Sequence, residues 1–466
     1  MKSRQPQKKI QKKILCIGAG YVGGPTMAMI ALKCPDYRVT VVDINSDRIN
    51  SWNSKKLPIF EPGLDEIIKK TRGKNLFFRT DIEQQIKDND IIFVSVNTPT
   101  KTFGSGAGYA ADLQFVEKTA RLILENSASP KIVIEKSTLP VKTALAMERI
   151  LMSGKGRVKF EVLSNPEFMA EGSAIKDLEN PDRVLIGSRE TASGIIARRL
   201  LVDIYARWVD PGKIIASNIW SSELSKLVAN AFLAQRVSSI NSISALCEKT
   251  DADISEVAKA VGTDSRIGGK FLVAGVGFGG SCFKKDILNL VYLCRFYGLQ
   301  EVADYWESVV KINEYQQERF ILNILGRMFN TLAGKKICVL GFAFKANTGD
   351  TRESPAIYIT RRLLSECAEV VISDPKALEN AAILMSETTG KVSYEDNPYK
   401  AVKDCHAIAI LTDWSLYKEL DYKKIFQAMA KPAFIFDGRN IIDHEKCYKI
   451  GFNVYPVGKP ALSHFE

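Results

Sequence analysis

Short unbroken apolar runs, each closed by a polar or glycine-rich stretch, punctuate both ends of this chain. Such runs mark strands buried on both faces of a parallel sheet. Lys12-Lys-Ile-Leu-Cys-Ile-Gly18 is one, Arg38-Val-Thr-Val-Val-Asp43 a second, and Ile91 to Val96 and Lys131 to Glu135 follow. A Met- and Ala-rich stretch between the first two reads as a helix. From about Ser217 to Gly326 the pattern changes to helical spacing, with no convincing strand series. The longest segment there runs from about Ser221 to Thr250, with Leu224, Leu227, Val228, Ala231 and Phe232 on one stripe. Lys226 and Asn230 are four apart and share a face, usually a solvated one. The strand pattern then returns: Lys335-Lys-Ile-Cys-Val-Leu-Gly341 echoes Lys12 to Gly18, and Val370-Val-Ile-Ser-Asp374 echoes Val39 to Asp43. These patterns predict an α/β chain of two doubly wound parallel-sheet domains joined by a central helical domain, whose long apolar helix is a candidate dimerisation core. The expected divisions are a basic, disordered arm at 1–13, domains at 14–216 and 331–466, and the helical domain at 217–330.

The first apolar run leads into Gly18-Ala-Gly20-Tyr21-Val22-Gly23 and then a helix, a second strand and a terminal Asp43. A lone GxGxxG is weak, but the whole order is the fingerprint of a dinucleotide-binding Rossmann unit. Gly18 allows a tight turn, Gly20 lets backbone approach a pyrophosphate, and Gly23 lets helix pack on strand. Asp43 would bind a ribose 2′-hydroxyl and repel a 2′-phosphate, which favours NAD over NADP. The later strands end in Asn97-Thr98-Pro99 and Lys136-Ser137-Thr138, at the carboxyl edge where such sheets bind ligands. In the second unit Phe342-Ala-Phe-Lys345 replaces the glycines, so no second dinucleotide is expected there. Lys345, Arg352 and Arg439 lie near strand ends and suit a phosphate, although each alone is more often a surface ion-pair partner.

Composition narrows the chemistry. The chain has 466 residues, 46% apolar and 25% charged, enough for several domains with full cores. Its nine cysteines form no CxxC pair, and the histidines, His406, His444 and His464, make no metal-ligand cluster. Free thiols in a reducing compartment, a cytoplasmic location and no metal site are expected. Of the net charge of +11, six charges fall in Met1 to Lys13, a stretch with no acid and no apolar core. That argues against a secretory signal. No window is apolar enough to cross a bilayer, and no nucleic-acid module is recognisable, so neither membrane nor nucleic acid is an expected partner.

One cysteine stands apart. Val276-Gly277-Phe278-Gly279-Gly280-Ser281-Cys282 places a thiol after a glycine run and at the start of a helical pattern that continues to Tyr297, with Gly298 as a stop. There the helix dipole, Lys284 and Lys285 supply positive potential to a nucleophile. A buried structural cysteine beside a glycine turn is the competing reading of this motif alone.

Over nearly its whole length the chain resembles the UDP-glucose 6-dehydrogenases of the animal type, in the UDP-glucose/GDP-mannose dehydrogenase family. The motifs that carry the resemblance are GAGYVGGPT from Gly18, SVNTPT from Ser95, EKST from Glu135, SNPEFMAEG from Ser164 and SSELSKLVANAFLAQR from Ser221. GFGGSCFKKD, GFAFK with GDTRESPA from Gly341, and FIFDGR from Phe434 complete the set. The resemblance implies an NAD-binding domain, a helical dimerisation domain, a nucleotide-sugar domain and a dimer-based hexamer. It implies oxidation of UDP-glucose to UDP-glucuronate with two NAD through a thiohemiacetal and a thioester on Cys282. Lys226 and Asn230 would then serve the first oxidation and the developing oxyanion, Glu167 would activate water, Asp286 would orient water or Lys226, and Thr138 would line the water and cofactor route. The same resemblance assigns NAD contacts to Gly18, Gly20, Tyr21, Val22, Gly23, Asp43, Arg48, Val96, Thr98, Pro99, Ser137, Thr138, Glu171, Lys285 and Arg352. Substrate contacts fall to Glu167, Phe168, Met169, Lys226, Asn230, Phe271, Gly277, Phe278, Gly279, Phe344, Lys345 and Arg439, with Arg266 reaching in from a neighbouring subunit.

Several positions depart from the animal pattern. KFLKASVGFGGSC is usual where this chain has Lys270-Phe-Leu-Val273-Ala-Gly275-Val-Gly-Phe. Val273 removes a cation beside the expected diphosphate, and Gly275 is expected to loosen the loop. Lys284 replaces a usual Gln and Tyr109 a usual Arg, and a long polar C-terminal tail is largely missing. A sister enzyme acting on GDP-mannose or a UDP-N-acetylhexosamine, and a non-catalytic binder of NAD and UDP-sugar, are the alternatives.

Overall fold

The computed structural model describes residues 12–154 and 158–465, so the arm expected at 1–13 lies outside it up to residue 11. Lys12 and Lys13, assigned to that arm, open the first strand. The chain divides into two compact units, Met1–Ala229 and Asn230–Glu466.

The first unit holds β1 (Lys12–Ile17), β2 (Tyr37–Val42), β3 (Leu76–Arg79), β4 (Ile91–Val94), β5 (Lys131–Glu135), β6 (Phe160–Ser164), β7 (Val184–Ser188) and β8 (Ile214–Asn218). They form one sheet in the order β3-β2-β1-β4-β5-β6-β7-β8. The reversal of strand order between β1 and β4 opens a crevice at their carboxyl ends, the usual ligand position in such sheets. Alternation along each strand feeds two cores. Ile14 and Cys16 face the layer that contains the helix Gly23–Lys33, while Leu15 and Ile17 face the other. Burial on both faces is why these strands read as unbroken apolar runs. The sheet is not wholly parallel, as the sequence had suggested. β7 runs antiparallel to β6 through the single pair Ser164 and Gly187, because the segment 165–183 returns from the edge where β6 ends.

The second unit holds β9 (Lys336–Leu340), β10 (Glu369–Ser373), β11 (Val392–Tyr394), β12 (Ala407–Ile410), β13 (Phe434–Asp437) and β14 (Asn453–Pro456). Their order is β11-β10-β9-β12-β13-β14, and every pairing is parallel. Ile337 and Val339 enter one core, Cys338 and Leu340 the other. Along the chain between the two sheets run the helices Ile219–Thr250, Ile254–Thr263, Phe283–Phe296 and Gln300–Arg327. The first is 32 residues long and starts two residues before the position that its sequence pattern suggests. Its stripe is split: Leu227 and Ala231 are fully buried, whereas Leu224 and Phe232 are exposed. No helix of the described residues is long and apolar enough to cross a membrane.

Candidate functional site

In the first unit the chain leaves β1 through a turn that only glycine can make. Gly18 has φ of +109°, and a Cβ there would lie 2.1 Å from the Ser95 carbonyl oxygen. Its N–H donates to the Val42 carbonyl at 2.8 Å, tying the turn to β2. A Cβ on Gly23 would meet the Gly18 carbonyl at 2.1 Å, which explains the third glycine. Gly20 differs: nothing lies within 4 Å of where its Cβ would be. The space beside Gly20 suits a ligand's close approach rather than internal packing. Val22 is the N-cap of the helix Gly23–Lys33.

Asp43, just past β2, is buried and accepts from the Ala19 N–H at 2.9 Å, the Asn45 N–H at 2.9 Å and the Arg48 guanidinium at 3.0 Å. Its carboxylate therefore sits at the glycine turn with Arg48 beside it, and retains acceptor capacity for a ribose hydroxyl. The loops after β4 and β5 are stitched together: Ser137 donates to the Val96 carbonyl at 2.7 Å, and Thr98 to the Thr138 carbonyl at 3.2 Å. Pro99 accepts from the Asp112 N–H at 2.8 Å. These positions, with an open cradle at Gly20 and an acid at the end of β2, fit a dinucleotide.

Glu61, absent from the sequence-derived set, organises the neighbouring loop. Its buried carboxylate takes the Tyr21 hydroxyl, the Gly172 N–H and the Ala174 N–H. It thus links Tyr21 to the half-buried Glu171 segment. No local signal marks it, because its partners lie 40 to 113 residues away.

Glu167 is held at both oxygens. Oε1 accepts from the N–H groups of Phe168 at 2.9 Å and Met169 at 3.3 Å, and Oε2 faces the Lys136 ammonium at 2.9 Å with Thr26 Oγ1 at 3.4 Å. Burial alone would push this carboxyl up. Lys136, the Phe168 N–H and Lys226 outweigh it and hold the group below the ordinary glutamate range. The Phe168 ring lies under two cations, with the Arg183 guanidinium 3.8 Å and the Lys226 ammonium 5.2 Å from its centroid. Lys226 is only 7% exposed and Asn230, four residues on, 5%. The solvated face that their spacing commonly signals is therefore not what they occupy.

In the second unit Asn230 donates to Asp286 Oδ2 at 2.6 Å, and Lys285 pairs with Asp286 Oδ1 at 3.3 Å. Cys282 is the N-cap of the helix Phe283–Phe296 and is exposed, with Ser281 Oγ 3.6 Å from its sulfur. Seven of the other eight cysteines are buried. Burial pushes Cys16, Cys405 and Cys447 up to about 12 and Cys34 to about 11, which makes them inert. Lys284 turns to Glu314 at 3.4 Å and Glu353 at 3.5 Å, so its charge is shared with two carboxylates rather than left to the thiol.

The glycine run before Cys282 is tightly enclosed. Gly277 has φ of +112°, and Asn313 clasps Phe278 from both sides, accepting its N–H at 2.8 Å and donating to its carbonyl at 3.1 Å. A Cβ on Gly279 would lie 2.5 Å from the Glu353 carbonyl and 3.0 Å from the Phe344 Cβ. Gly275 does not loosen the loop. Its N–H donates to Asn241 at 2.9 Å and its carbonyl accepts from Gln316 at 2.6 Å. A side chain there would crowd the Gly438 carbonyl at 2.9 Å.

The basic residues fall into two kinds. Arg439, largely buried, donates to the carbonyls of Leu411 at 2.7 Å and Phe344 at 3.3 Å, and burial lowers its proton affinity. Lys345 lies 5.5 Å over the Phe344 ring. Arg352 is forked onto Asp350 at 2.6–2.9 Å, and the exposed Arg266 is forked onto Asp264 in the same turn. Phe271 has φ of +61° and lies 6.4 Å from Phe283. Val273 is 72% exposed.

Three family models match in series. They are the NAD binding domain of the UDP-glucose/GDP-mannose dehydrogenase family at residues 12–209, its central domain at 220–315 and its UDP binding domain at 338–444. The chain is 60% identical to UDP-glucose 6-dehydrogenase 4 of Arabidopsis thaliana, over 96% of this chain and 97% of that one. It is 58% identical to UDP-glucose 6-dehydrogenase 1 of Glycine max over the same shares. These relatives are plant proteins and lend nothing to the animal type expected from the motifs. Among solved structures, a UDP-glucose dehydrogenase from the archaeon Pyrobaculum islandicum is similar with a TM-score of 0.84 and 30% identity, covering 98% of this chain and 100% of that one.

Proposed function

Since the chain belongs to the UDP-glucose/GDP-mannose dehydrogenase family, we propose that it oxidises the C6 alcohol of UDP-glucose to the carboxylate with a covalent stage on Cys282. The observation that carries this reading is the exposed thiol at the head of the helix Phe283–Phe296, directly after an enclosed glycine loop. NAD supplies the hydride acceptor, one molecule for each of the two oxidations.

The residues divide the work by their chemistry. The first oxidation takes a hydride and the hydroxyl proton from the C6 alcohol, the proton passing to Lys226 in its amine form, and the resulting ammonium, with Asn230, faces the oxyanion that develops. The Cys282 thiolate adds to the aldehyde carbon, forming a C–S bond while the carbonyl oxygen takes a proton. Loss of a second hydride and of that proton leaves a thioester. Glu167 takes a proton from water, the resulting hydroxide attacks the thioester, and the C–S bond breaks to return the thiolate and the uronate. Asp286 orients water or Lys226, and Thr138 lines the route. The turn Gly18 to Gly23 with Asp43 and Arg48 holds NAD, helped by Val96, Thr98, Pro99, Ser137, Glu171, Lys285 and Arg352. Phe168, Met169, Phe271, Gly277, Phe278, Gly279, Phe344, Lys345 and Arg439 hold the nucleotide sugar, with Arg266 contributed to a neighbour.

This reading includes a cytoplasmic enzyme with domains at 14–216, 217–330 and 331–466, assembled as a dimer-based hexamer. Exposed Phe232 and Leu246 on the long helix support a covered face, and nine free cysteines suit a reducing compartment. Cys282→Ser tests the nucleophile. It should retain NAD and UDP-glucose binding yet form no UDP-glucuronate, because an alkoxide is far harder to form than a thiolate near pH 7. Wild-type turnover in that variant would refute the assignment.

A further inference from the structure

Lys136 carries no role in the function described above, yet it is a fully engaged buried cation of the first unit. It lies just past β5, 2% exposed, and its ammonium has three donors to place. All three find acceptors: Glu167 Oε2 at 2.9 Å, Asn165 Oδ1 at 3.0 Å and the Tyr205 hydroxyl at 3.2 Å. Tyr205 in turn donates to the same Asn165 oxygen at 2.8 Å, and Asn165 anchors itself on the Leu185 carbonyl at 2.8 Å. The lysine is thus fixed from the loop after β6 and from the helix Ala192–Tyr205, and its single anionic partner is Glu167. We propose that Lys136 is the positioning residue that keeps Glu167 an anion, ready to take a proton from water, and fixes which of its oxygens stays toward the core. The proposal rests on the reading of Glu167 as the water-activating base.

The physical reason is the balance at Glu167. Burial disfavours its charge, and the backbone N–H groups of Phe168 and Met169 satisfy only one oxygen. Remove the ammonium and the carboxyl is buried without a counter-charge at hydrogen-bond distance, so it takes up a proton at neutral pH and ceases to be a base. Lys226, on the long helix, adds a weaker attraction. The other titratable groups facing the pair are Tyr205 from the helix Ala192–Tyr205 and Cys16 from β1, with Cys34 and Asp43 beyond. Burial raises the Tyr205 phenol and pushes the Cys16 thiol up to about 12, so neither titrates between pH 5 and 9.

The test compares Lys136→Met, Lys136→Arg and Glu167→Gln by intact mass on Cys282 and by turnover, after mixing with UDP-glucose and NAD from pH 5.5 to 9. Lys136→Met should accumulate the covalent adduct at pH 7 as Glu167→Gln does. It should clear the adduct as pH rises, its acid limb moved up by about two units. Lys136→Arg should follow the wild type, and Glu167→Gln should hold its adduct at every pH. A Lys136→Met acid limb that coincides with the wild type overturns the proposal, as does an adduct in that variant that no pH clears. If Glu167→Gln turns over normally, the base reading fails instead. Should Lys136→Met not fold, the double variant Lys136→Met/Glu167→Gln decides. Its recovery supports the ion pair, and its failure shows that Lys136 holds the fold by other means.

Discussion

In the first unit the chain leaves β1 through Gly18, Ala19 and Gly20; in the second it leaves β9 through Gly341, Phe342 and Ala343. Both turns begin alike. Gly18 and Gly341 have φ of +109° and +95°, and each donates its N–H at 2.8 Å to the last carbonyl of the next strand. They diverge at the following residues. Asp43 takes one loop amide, from Ala19, and the site of a side chain on Gly20 is open. Asp374 takes both loop amides, Phe342 at 2.7 Å and Ala343 at 3.0 Å. It also accepts from Lys376, Ala377 and Trp414. The Phe342 side chain is fully buried. One strand order therefore serves two ends: the first loop leaves open space beside Gly20, and the second turns the same groups inward to hold itself together.

Filling the open space should break the contrast most severely. No protein atom lies within 4 Å of a Cβ placed on Gly20, so Gly20→Val should change stability by no more than about 0.5 kcal/mol. NAD affinity should fall about a thousandfold, roughly 4 kcal/mol, while UDP binding persists. Calorimetric titration with each ligand checks this, and unimpaired NAD binding would contradict the role given to Gly20.

A second contrast is electrostatic. In the first unit Glu135 and Glu223 are buried close together; Glu223 caps the helix Thr143–Met152 through the N–H groups of Lys142 at 2.7 Å and Ala144 at 2.8 Å, whereas Glu135 faces the Glu223 carboxyl. Burial, and then the like charge of Glu223, raise Glu135 well above the glutamate range, and burial raises Glu223 to about 7. A carboxyl raised on folding stabilises the protein fully below its unfolded value, and that stability is lost as pH rises through the folded value. The unit should therefore weaken between about pH 4.5 and 7, by on the order of 3 kcal/mol. Glu223→Gln should flatten the profile, as measured by urea unfolding across pH.

Exchanging the two acids for amides should separate their duties. Asp374→Asn loses charge-assisted acceptance from five donors and should cost about 2 kcal/mol in urea unfolding. Asp43→Asn should cost less than about 1 kcal/mol but weaken NAD binding. A smaller effect than that of Asp374→Asn is expected at Val273. A lysine there restores a cation near the expected diphosphate, and at such an exposed position Val273→Lys should lower the Michaelis constant for UDP-glucose by about tenfold with kcat unchanged.

The parts of this account legible in the sequence are local. Strand, glycine turn, helix, strand and Asp43 lie within about thirty residues, so their order alone signals the first crossover, and Lys335 to Gly341 signals the second. What escaped depends on partners distant in sequence. The direction of β7 rests on one pair between Ser164 and Gly187. The burial of Lys226 and Asn230 depends on what packs over the helix, which their spacing does not encode. Glu61 and the pairing of Lys136 with Glu167 escape the sequence because a buried charge is recognised by its partners, and the tight hold on Gly275 escapes it because Asn241, Gln316 and Gly438 come from three separate segments.

The most direct measurement is the ratio of NADH formed to UDP-glucuronate formed by the purified protein with UDP-glucose and NAD. Two NADH per uronate is the result this account predicts, since the alcohol must lose four electrons to become a carboxylate. A ratio above two with free aldehyde released, or no reduction of NAD at all, would contradict the covalent course through Cys282.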